Sequence, residues 1–448
     1  MQISLDWLSD YITLNSTPEE LAATLTRAGL EVEEILSTAT VPEGVVTAKI
    51  LSREKHPNSD HLSICRVDPG TGEPLQIVCG APNCDAGAIV PLATIGTTFK
   101  DPDGGKDFTI GKGKLRGVES FGMMCSAREL GLSNDHEGLM ILPPDTPLGV
   151  SVAEMFKGDT VYSLELTQNR PDWLSHWGVA RDVYALQGGE LKFPATDLPP
   201  VKGTESFPEL VRVEAPDLCP KYTARILRGV KVGPSPEWMQ KRLEAVGIRP
   251  INNIVDITNY VMMELGLPLH VFDRSLLKEG RIVVRRAAKG ESITALDGKK
   301  YDLEPEMLVI ADAEKPVAIA GVMGGEYSGV LDTTTEVVLE AAYFNKTSVR
   351  MTSAKLNLSS DASHRYERGA DIGMVEKAGA RAASLILELA GGELVSDLVS
   401  VAEPPVPQPH ILCRYARIRS LLGMDVSDLE ISTIFSKLGM EVEPLNDD

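Results

Sequence analysis

The sequence predicts an α+β multidomain protein: a β-barrel inserted in a small α/β unit, followed by a mixed α/β domain and part of a second small α/β unit. Three observations favour this architecture. The chain is 448 residues long, it contains two proline-rich stretches, and two segments near its ends repeat each other. That length exceeds a single ordinary hydrophobic core and indicates roughly three domains.

Two proline-rich stretches, 194–208 and 401–410, divide the chain. Proline fixes φ and removes an amide donor, so such runs disfavour both helix and central strand. We place domain boundaries there and at the two ends of the barrel. The predicted domains are 1–39 with 151–200 (a discontinuous N-terminal α/β unit), 40–150 (the barrel), 205–400 (the mixed α/β domain) and 408–448 (a partial repeat of the N-terminal unit).

The repeat relates T-P-E-E-L-A-A-T-L-T-R-A-G-L-E-V-E-E (17–34) to S-D-L-E-I-S-T-I-F-S-K-L-G-M-E-V-E-P (427–444). Each copy begins with Thr or Ser and has Glu three residues later, which is the capping-box signature of a helix start. Apolar residues then follow at helical spacing. Each predicted helix ends at a glycine, Gly29 or Gly439, where a left-handed cap is easily formed. We interpret the pair as a duplicated small α/β unit.

Residues 40–150 alternate short apolar segments, such as V-V-T-A-K-I-L and L-Q-I-V-C-G, with turns rich in Gly, Pro, Asn and Asp. This pattern is typical of a small β-barrel. Histidines and cysteines crowd the same region, but no C-x-x-C pair supports a metal site. Strand alternation places Cys65 on the same face as Val67, and free cysteine is commonly a small core residue. We therefore predict that Cys65, Cys79 and Cys84 are core residues.

The overall composition, with 43% hydrophobic and 24% charged residues, indicates a globular protein. Six cysteines in a chain of this size do not indicate a disulfide framework. A net charge of −20 argues against a protein that mainly coats nucleic acid, so RNA binding would need a local basic face. No apolar run is long enough to span a bilayer, and the start lacks a basic region followed by a long apolar one. We expect a soluble, cytosolic protein.

The predicted mixed α/β domain carries the strongest functional signals. A helix is predicted from about Asn253 to Leu265, ended by Gly266, and His270 is expected in the loop that follows. In the predicted strand E-V-V-L-E-A-A-Y-F, alternation places Glu340 beside apolar neighbours. A carboxylate in that setting should be either paired or free to bind a ligand.

Two further motifs could carry chemistry. The glycine-rich segment 318–329 lacks the spacing of a dinucleotide site, so its glycines more plausibly let the backbone approach a substrate. The stretch S-S-D-A-S-H-R-Y-E-R-G-A-D (359–371) combines serines, an aspartate and a histidine, as a hydrolase would. No serine there lies in a G-x-S-x-G elbow, so a serine hydrolase is a weakly supported alternative. We expect His364–Arg368 to form a salt-linked helix start.

The barrel segments H-P-N-S-D-H-L-S-I-C-R-V-D (56–68), Q-I-V-C-G-A-P-N (76–83) and R-G-V-E-S-F-G-M-M-C-S-A-R-E-L-G-L (116–132) resemble the oligonucleotide-binding (OB) fold tRNA-binding domain of synthetase-associated proteins. Residues 41–150 contain ten Lys or Arg against fourteen Asp or Glu, so phosphate contacts would need a local face. That face would carry Lys106, Lys112, Lys114 and Arg116. A structural or docking role for the barrel remains the alternative.

The order of parts along the whole chain resembles the β subunits of bacterial phenylalanyl-tRNA synthetases. The motifs that carry this resemblance are A-G-L-E-V, L-E-L-T-Q-N-R-P-D-W-L-S-H-W-G, N-N-I-V-D-I-T-N-Y-V, L-P-L-H-V-F-D and D-A-S-H-R-Y-E-R-G. In that family the α subunit attaches phenylalanine to tRNA(Phe), using ATP and Mg²⁺ in an α2β2 assembly. The β subunit hydrolyses mischarged Tyr-tRNA(Phe) in a central editing domain. The family's subunit continues well beyond the length of this chain, so we expect an N-terminal fragment.

The resemblance implies specific partners and sites for this chain. The implied partners are the α subunit and tRNA(Phe), with no membrane, and no cofactor or metal bound by this part of the subunit. His270 and Glu340 are implied as catalytic residues, with Glu340 accepting the tyrosine hydroxyl. The implied editing pocket is completed by Thr258, Asn259, Pro268, Gly324, Ser360 and Ala362. The tRNA contacts are expected at Lys112, Lys114, Arg116, Arg365 and Arg368. The alternative function is a non-catalytic tRNA-binding or assembly module.

Overall fold

The computed structural model describes residues 1–38, 41–99, 106–132, 137–202, 209–402 and 409–445. The predicted domain boundaries at 39/40, 205 and 408 lie outside these residues. Among the described residues, no helix is both long enough and apolar enough to cross a membrane.

The α-helices of the described residues are α1 (Leu5–Leu8), α2 (Pro18–Arg27), α3 (Val152–Met155), α4 (His176–Gln187), α5 (Glu237–Ala245), α6 (Asn253–Leu265), α7 (Lys346–Leu356), α8 (Asp361–Tyr366), α9 (Val375–Leu389), α10 (Tyr415–Leu422) and α11 (Asp428–Lys437). Short 3₁₀ helices occur at Pro171–Trp173, Arg274–Leu276, Lys278–Gly280, Glu326–Ser328 and Ile372–Met374.

The strands are β1 (Gln2–Ser4), β2 (Glu31–Ser37), β3 (Val45–Lys55), β4 (Ser63–Asp68), β5 (Leu75–Cys79), β6 (Ile89–Ala93), β7 (Thr98–Phe99), β8 (Phe108–Thr109), β9 (Gly113–Leu115), β10 (Val118–Ser120), β11 (Met123–Met124), β12 (Thr160–Glu165), β13 (Val211–Val213), β14 (Lys221–Arg228), β15 (Leu269–Asp273), β16 (Ile282–Arg286), β17 (Ser292–Thr294), β18 (Lys300–Asp302), β19 (Leu308–Ala311), β20 (Pro316–Ile319), β21 (Met323–Gly324), β22 (Glu336–Tyr343), β23 (Glu393–Leu394) and β24 (Val399–Ala402).

The chain forms two compact units. One comprises Met1–Leu36 together with the described residues from Thr160 onward, and the other is Ser37–Asp159. The second unit is therefore inserted into the sequence of the first. Its two ends meet, because Thr38 N donates a hydrogen bond to Asp159 O at 2.9 Å.

The inserted unit is a nearly closed barrel. Its main sheet has the strand order β11-β6-β3-β4-β5. The two ends of that sheet are joined by hydrogen bonds: Phe121 N donates to Gln76 O at 2.9 Å, and Val78 N donates to Ser120 Oγ at 3.1 Å. The predicted OB-like barrel is confirmed.

The predicted core position of the barrel cysteines is also confirmed. Cys65 and Cys84 are fully buried and Cys79 is 8% exposed, within one apolar cluster. Burial raises the pKa of the Cys65 thiol to about 12 and that of Cys79 to about 11. The Cys65 and Cys79 thiols therefore remain protonated at neutral pH, as expected for buried cysteines in apolar surroundings.

The first unit contains three sheets of three or more strands. The N-terminal sheet has the order β1-β12-β2, and the two larger ones have the orders β13-β16-β19-β20-β21 and β15-β22-β14-β23. Strand β24 also pairs with β14. Helix α9 packs on β14 and β22, and α6 packs on β15 and α9. The mixed α/β fold predicted for this part of the chain is therefore observed.

Helix α6 has the predicted bounds. The Asn252 side chain accepts hydrogen bonds from Ile254 N and Val255 N, and Gly266 ends the helix with φ 79°. A left-handed φ of this kind is easily reached only by glycine. A short connection therefore joins α6 to β15, which begins three residues after Gly266, at Leu269.

The two repeat copies begin alike and continue differently. Thr17 and Glu20 form a complete capping box on α2, and Ser427 caps α11 by accepting from Glu430 N at 3.2 Å. Gly29 and Gly439 both have left-handed φ, at 98° and 87°. The first copy continues into β2, whereas the described residues after Gly439 form no strand.

Candidate active site

Three polar side chains lie in a row on one face of the sheet that contains β14, β22 and β15. His270 on β15 is directly opposite Glu340 on β22 in an antiparallel register. Tyr222 on β14 is opposite Ala342, two residues from Glu340 and therefore on the same face. Directly opposed side chains on adjacent strands are close neighbours. The sheet thus aligns a phenol, a carboxyl and an imidazole.

Glu340 is the centre of this row. Its carboxyl is buried, with 6% of the residue exposed, and Tyr222 Oη donates a hydrogen bond to Glu340 Oε2 at 2.5 Å. Burial raises the pKa of Glu340 to about 7, although the hydrogen bond from Tyr222 lowers it. Its carboxyl therefore titrates near neutral pH, as acid–base groups in active sites often do.

His270 lies on strand β15 and not in a loop, so the predicted loop position is wrong. Its ring contacts the Phe272 ring edge-on, with the centroids 4.4 Å apart. The residue is half-buried, but Nε2 itself is buried and has no hydrogen-bond partner among the described residues. Burial lowers the pKa of His270 to about 4, so the imidazole is neutral at pH 7. A buried, unpartnered nitrogen is able to bind water or a substrate group.

Gly324 packs directly against His270. A Cβ atom at position 324 would lie 2.5 Å from His270 Cε1, a distance that real contacts do not reach. The absence of a side chain is therefore what allows β21 to approach the imidazole. This agrees with the expected close backbone approach in the glycine-rich segment.

A pocket opens where these elements meet. Five of the predicted residues line it: Pro268, His270, Gly324, Glu340 and Ala362. Its other walls are Leu269, Ile310, Ala318, Ile319, Ala320, Gly321, Val322, Met323, Phe344 and Tyr366. The walls are mostly apolar, with a few convergent polar groups, as is usual for a small-molecule site.

Comparison with known proteins assigns the family. The family model described as "Putative tRNA binding domain" matches residues 45–151, and the one described as "B3/4 domain" matches residues 218–391. The phenylalanine–tRNA ligase beta subunit of Anaeromyxobacter dehalogenans (strain 2CP-C) is 49% identical over 442 residues, which cover 98% of this chain and 54% of that protein. That of Syntrophotalea carbinolica (strain DSM 2380 / NBRC 103641 / GraBd1) is 46% identical over 451 residues, which cover 100% of this chain and 55% of that protein.

The chain belongs to the family of phenylalanine–tRNA ligase β subunits. It spans about half the length of the curated relatives it matches. A solved N-terminal fragment of the phenylalanyl-tRNA synthetase β subunit from Pyrococcus horikoshii is 17% identical and covers 63% of this chain and 78% of that one. Its TM-score is 0.30, a similarity too weak to support an inference.

Ser360 lies beside the pocket, as the cap of α8. Its hydroxyl donates to Val322 O at 2.6 Å and accepts from Ser363 N at 3.1 Å. Both hydrogen bonds tie the start of α8 to the pocket wall. A hydroxyl engaged in this way is a structural cap, and within the described part of the chain it has no hydrogen bond to a histidine, so the geometry does not support the serine hydrolase alternative.

Besides Ser360, two other predicted pocket residues do not line the cavity. Thr258 and Asn259 belong to α6, and the Thr258 hydroxyl donates to Val255 O within the same helix at 2.7 Å. The structure therefore places them in the helix behind β15, and their role in binding stays a prediction.

The two arginines predicted to contact tRNA near α8 are largely enclosed. Arg365 is 2% exposed and donates to Leu174 O and to Asp361 O, at 3.3 and 3.0 Å. That burial contradicts a direct contact with RNA, because phosphate contacts require an accessible guanidinium. Arg368 donates to Glu367 Oε1 at 2.6 Å, and its Nε is buried. Arg365 lies in the last turn of α8 and Arg368 follows the helix, so the predicted helix start at His364–Arg368 is wrong: α8 runs from Asp361 to Tyr366.

The predicted basic residues of the barrel are exposed: Lys106 and Lys112 precede the β9–β10 hairpin, and Lys114 and Arg116 lie in it. Lys112 Nζ lies 3.0 Å from Glu119 Oε1 and 5.0 Å from the centroid of the Phe121 ring. Lys114 is opposite Glu119 in the hairpin, and Arg116 occupies its turn with φ 44°. Glu119 partly offsets the positive charge of this surface, so a tRNA contact there stays a prediction.

Sequence reasoning missed two buried tyrosines of the site, Tyr222 and Tyr366. The Tyr366 hydroxyl lies 3.0 Å from Pro268 O and 2.9 Å from Ala342 O, which joins α8 to the row of polar residues. Alternation along K-Y-T-A-R-I-L-R could have indicated an inward Tyr222, but only strand pairing shows that it contacts Glu340.

Within the described residues, no group of three or more His, Cys, Asp or Glu side chains could hold a metal ion.

Proposed function

We propose that this chain acts within phenylalanine–tRNA ligase and that its pocket hydrolyses tyrosine wrongly attached to tRNA(Phe). The ligase would attach phenylalanine to tRNA(Phe) at the expense of ATP, with Mg²⁺, in an α2β2 assembly in the cytoplasm. Aminoacylation would reside in the α subunit. The single observation that carries the editing proposal is that, in one pocket, the buried Glu340 lies opposite His270, whose Nε2 has no hydrogen-bond partner in the described part of the chain.

The chemistry explains why a second site is required. A synthetic pocket built for phenylalanine rejects tyrosine by only about a hundredfold, since the added hydroxyl costs little. An editing pocket can reverse the preference by offering the hydroxyl a hydrogen-bond acceptor. Glu340 supplies that acceptor through the carboxyl oxygen that Tyr222 does not occupy, and a phenylalanine ring would leave that oxygen unsatisfied.

The second group of the proposed editing site is His270, which would act on the ester bond. Because burial keeps the imidazole neutral at pH 7, one ring nitrogen is able to accept a proton from water. It would position the ester or its attacking water, with no covalent enzyme intermediate. Burial of the bond to be cleaved beside Gly324, where the backbone approaches closely, would hold the ester in place.

The test is deacylation of matched Tyr-tRNA(Phe) and Phe-tRNA(Phe) by the complete ligase. Glu340→Ala removes the acceptor, so we expect the preference for the tyrosyl ester to fall about 10- to 100-fold. Glu340→Gln keeps the shape and an acceptor oxygen, and it should retain part of the preference. Undiminished discrimination in Glu340→Ala would refute the editing role.

The same experiment separates the alternative of a non-catalytic module. Such a module would bind tRNA(Phe) equally well in wild type and in Glu340→Ala, with no ester cleavage above the uncatalysed rate. Measuring tRNA binding beside deacylation therefore distinguishes the two functions.

A further inference from the structure

Tyr222 is buried behind the pocket and does not line it. The residue is fully buried on β14, and its hydroxyl makes a 2.5 Å hydrogen bond to Glu340 Oε2. A phenol hydroxyl can donate one hydrogen bond, and the Tyr222 hydroxyl donates its hydrogen bond to the carboxyl. Tyr222 therefore contacts the recognition residue without contacting the space that a substrate would occupy.

This hydrogen bond makes the two carboxyl oxygens of Glu340 different from each other. Oε2 is occupied by Tyr222, whereas Oε1 has no hydrogen-bond partner among the described residues, and Glu340 lines the pocket. A carboxyl held through one oxygen cannot rotate freely, so the other oxygen keeps a fixed direction. Preorganised acceptors of this kind need no rearrangement when a ligand binds.

We propose that Tyr222 is a positioning residue that fixes Glu340 with Oε1 facing the pocket and favours its ionised form, and so sets the selectivity for a substrate hydroxyl; this rests on the proposed editing function. Tyr366 does not perform this task, because its hydroxyl is directed to the backbone oxygens of Pro268 and Ala342.

The first experiment measures the protonation of Glu340 directly and needs no substrate. The infrared carbonyl band of the protonated carboxyl is recorded against pH and assigned by its loss in Glu340→Gln. Tyr222→Phe removes only the donor, so the midpoint of the Glu340 band should move upward by about one pH unit. An unchanged midpoint would overturn the proposal.

A matched control separates this effect from a general loss of stability. Tyr162 is another fully buried tyrosine, and its hydroxyl donates to Pro18 O at 2.5 Å, away from Glu340. Tyr162→Phe should leave the Glu340 midpoint unchanged, and an equal shift in that variant would count against the proposal. If Tyr222→Phe does not fold, 3-fluorotyrosine at position 222 gives the opposite test: a stronger donor should move the midpoint downward.

The second experiment uses deacylation by the complete ligase. Tyr222→Phe should lower the preference for Tyr-tRNA(Phe) over Phe-tRNA(Phe) about tenfold in the wild-type background, and no further in a Glu340→Gln background. An equal loss in both backgrounds would show that Tyr222 does not act through Glu340. If the wild type cleaves neither ester, the proposed function fails, while the infrared titration still decides whether Tyr222 controls Glu340.

Discussion

At the residue scale, burial shifts the pKa values of the two central groups of the site in opposite directions. Burial disfavours the charged form, so the pKa of Glu340 rises to about 7 while that of His270 falls to about 4. Both groups are therefore neutral in mildly acidic solution. Near pH 7 Glu340 changes charge while His270 does not, which makes the carboxyl the group whose state responds to physiological pH.

A pH-dependent stability follows from Glu340. Its pKa rises from an ordinary 4.5 to about 7, so the folded chain binds the proton more tightly than the unfolded chain. Stability contributed by this group is complete below pH 4.5 and is lost as pH rises toward 7, by up to about 3 kcal/mol. Glu340→Gln cannot ionise, so its stability relative to wild type should increase across this interval and be constant above it.

Urea unfolding at pH 5, 6, 7 and 8 measures this difference. The lowered pKa of His270 acts in the opposite direction, but it is present in both proteins and cancels in the comparison. A difference between the two proteins that does not vary with pH would contradict the expected ionisation of Glu340.

At the scale of elements, the short helix α8 is held in place by its capping residue together with the buried Arg365 and Tyr366. Ser360 caps α8 and also donates to Val322 O, so one hydroxyl joins the helix to the pocket wall. The next turn of the wall is supplied by Ala362, whose small side chain leaves the cavity open. The position of this wall therefore depends in part on a hydroxyl that the sequence predicted as a pocket residue and that the structure shows to be a helix cap.

Substitution at Ser360 tests this dependence. Ser360→Ala removes both hydrogen bonds and should lower the free energy of unfolding by about 1–2 kcal/mol. Ser360→Thr keeps the hydroxyl and should retain most of that stability. Thermal melting compares the three proteins. Equal melting temperatures for the Ala and Thr variants would show that the cap does not matter.

At the scale of the whole molecule, the predicted N-terminal unit and the predicted editing domain share one hydrophobic core within the first compact unit. A chain of buried polar contacts crosses it: Trp7 Nε1 donates to Tyr11 Oη, Tyr11 Oη donates to Glu264 Oε1, and Arg381 Nε donates to Glu264 Oε2. Buried networks of this kind are costly to break. The division of these residues into two domains remains a prediction.

The inserted unit offers a test at this scale. Thr38 and Asp159 are hydrogen-bonded to each other, so the two ends of the insertion are adjacent. Replacing residues 38–159 by a short Asn-Gly turn should therefore leave the first unit folded, since insertions with adjacent ends are readily removed. Circular dichroism and a cooperative melting transition measure the outcome. Loss of cooperative melting would show that the first unit requires the barrel.

The sequence by itself determined those structural features that depend on residues only a few positions apart in the chain. Gly266 ends α6 as predicted, and alternation indicates the strand Glu336–Tyr343 and the buried Cys65. The resemblance of the motifs along the chain indicated the family, and it also singled out His270 and Glu340 as the central residues of the site.

Tertiary structure alone decided how those residues act. Tyr222 and Glu340 are 118 residues apart in sequence, and their contact exists because β14 and β22 pair in one register. A second pairing, of β15 with β22, places His270 on a strand opposite Glu340, and long-range packing encloses Arg365 against Leu174 O. Local patterns indicate which face a side chain takes but not which strand lies beside it. Register is set by the combined burial of whole strands, and a shift of one residue would send Glu340 to the other face.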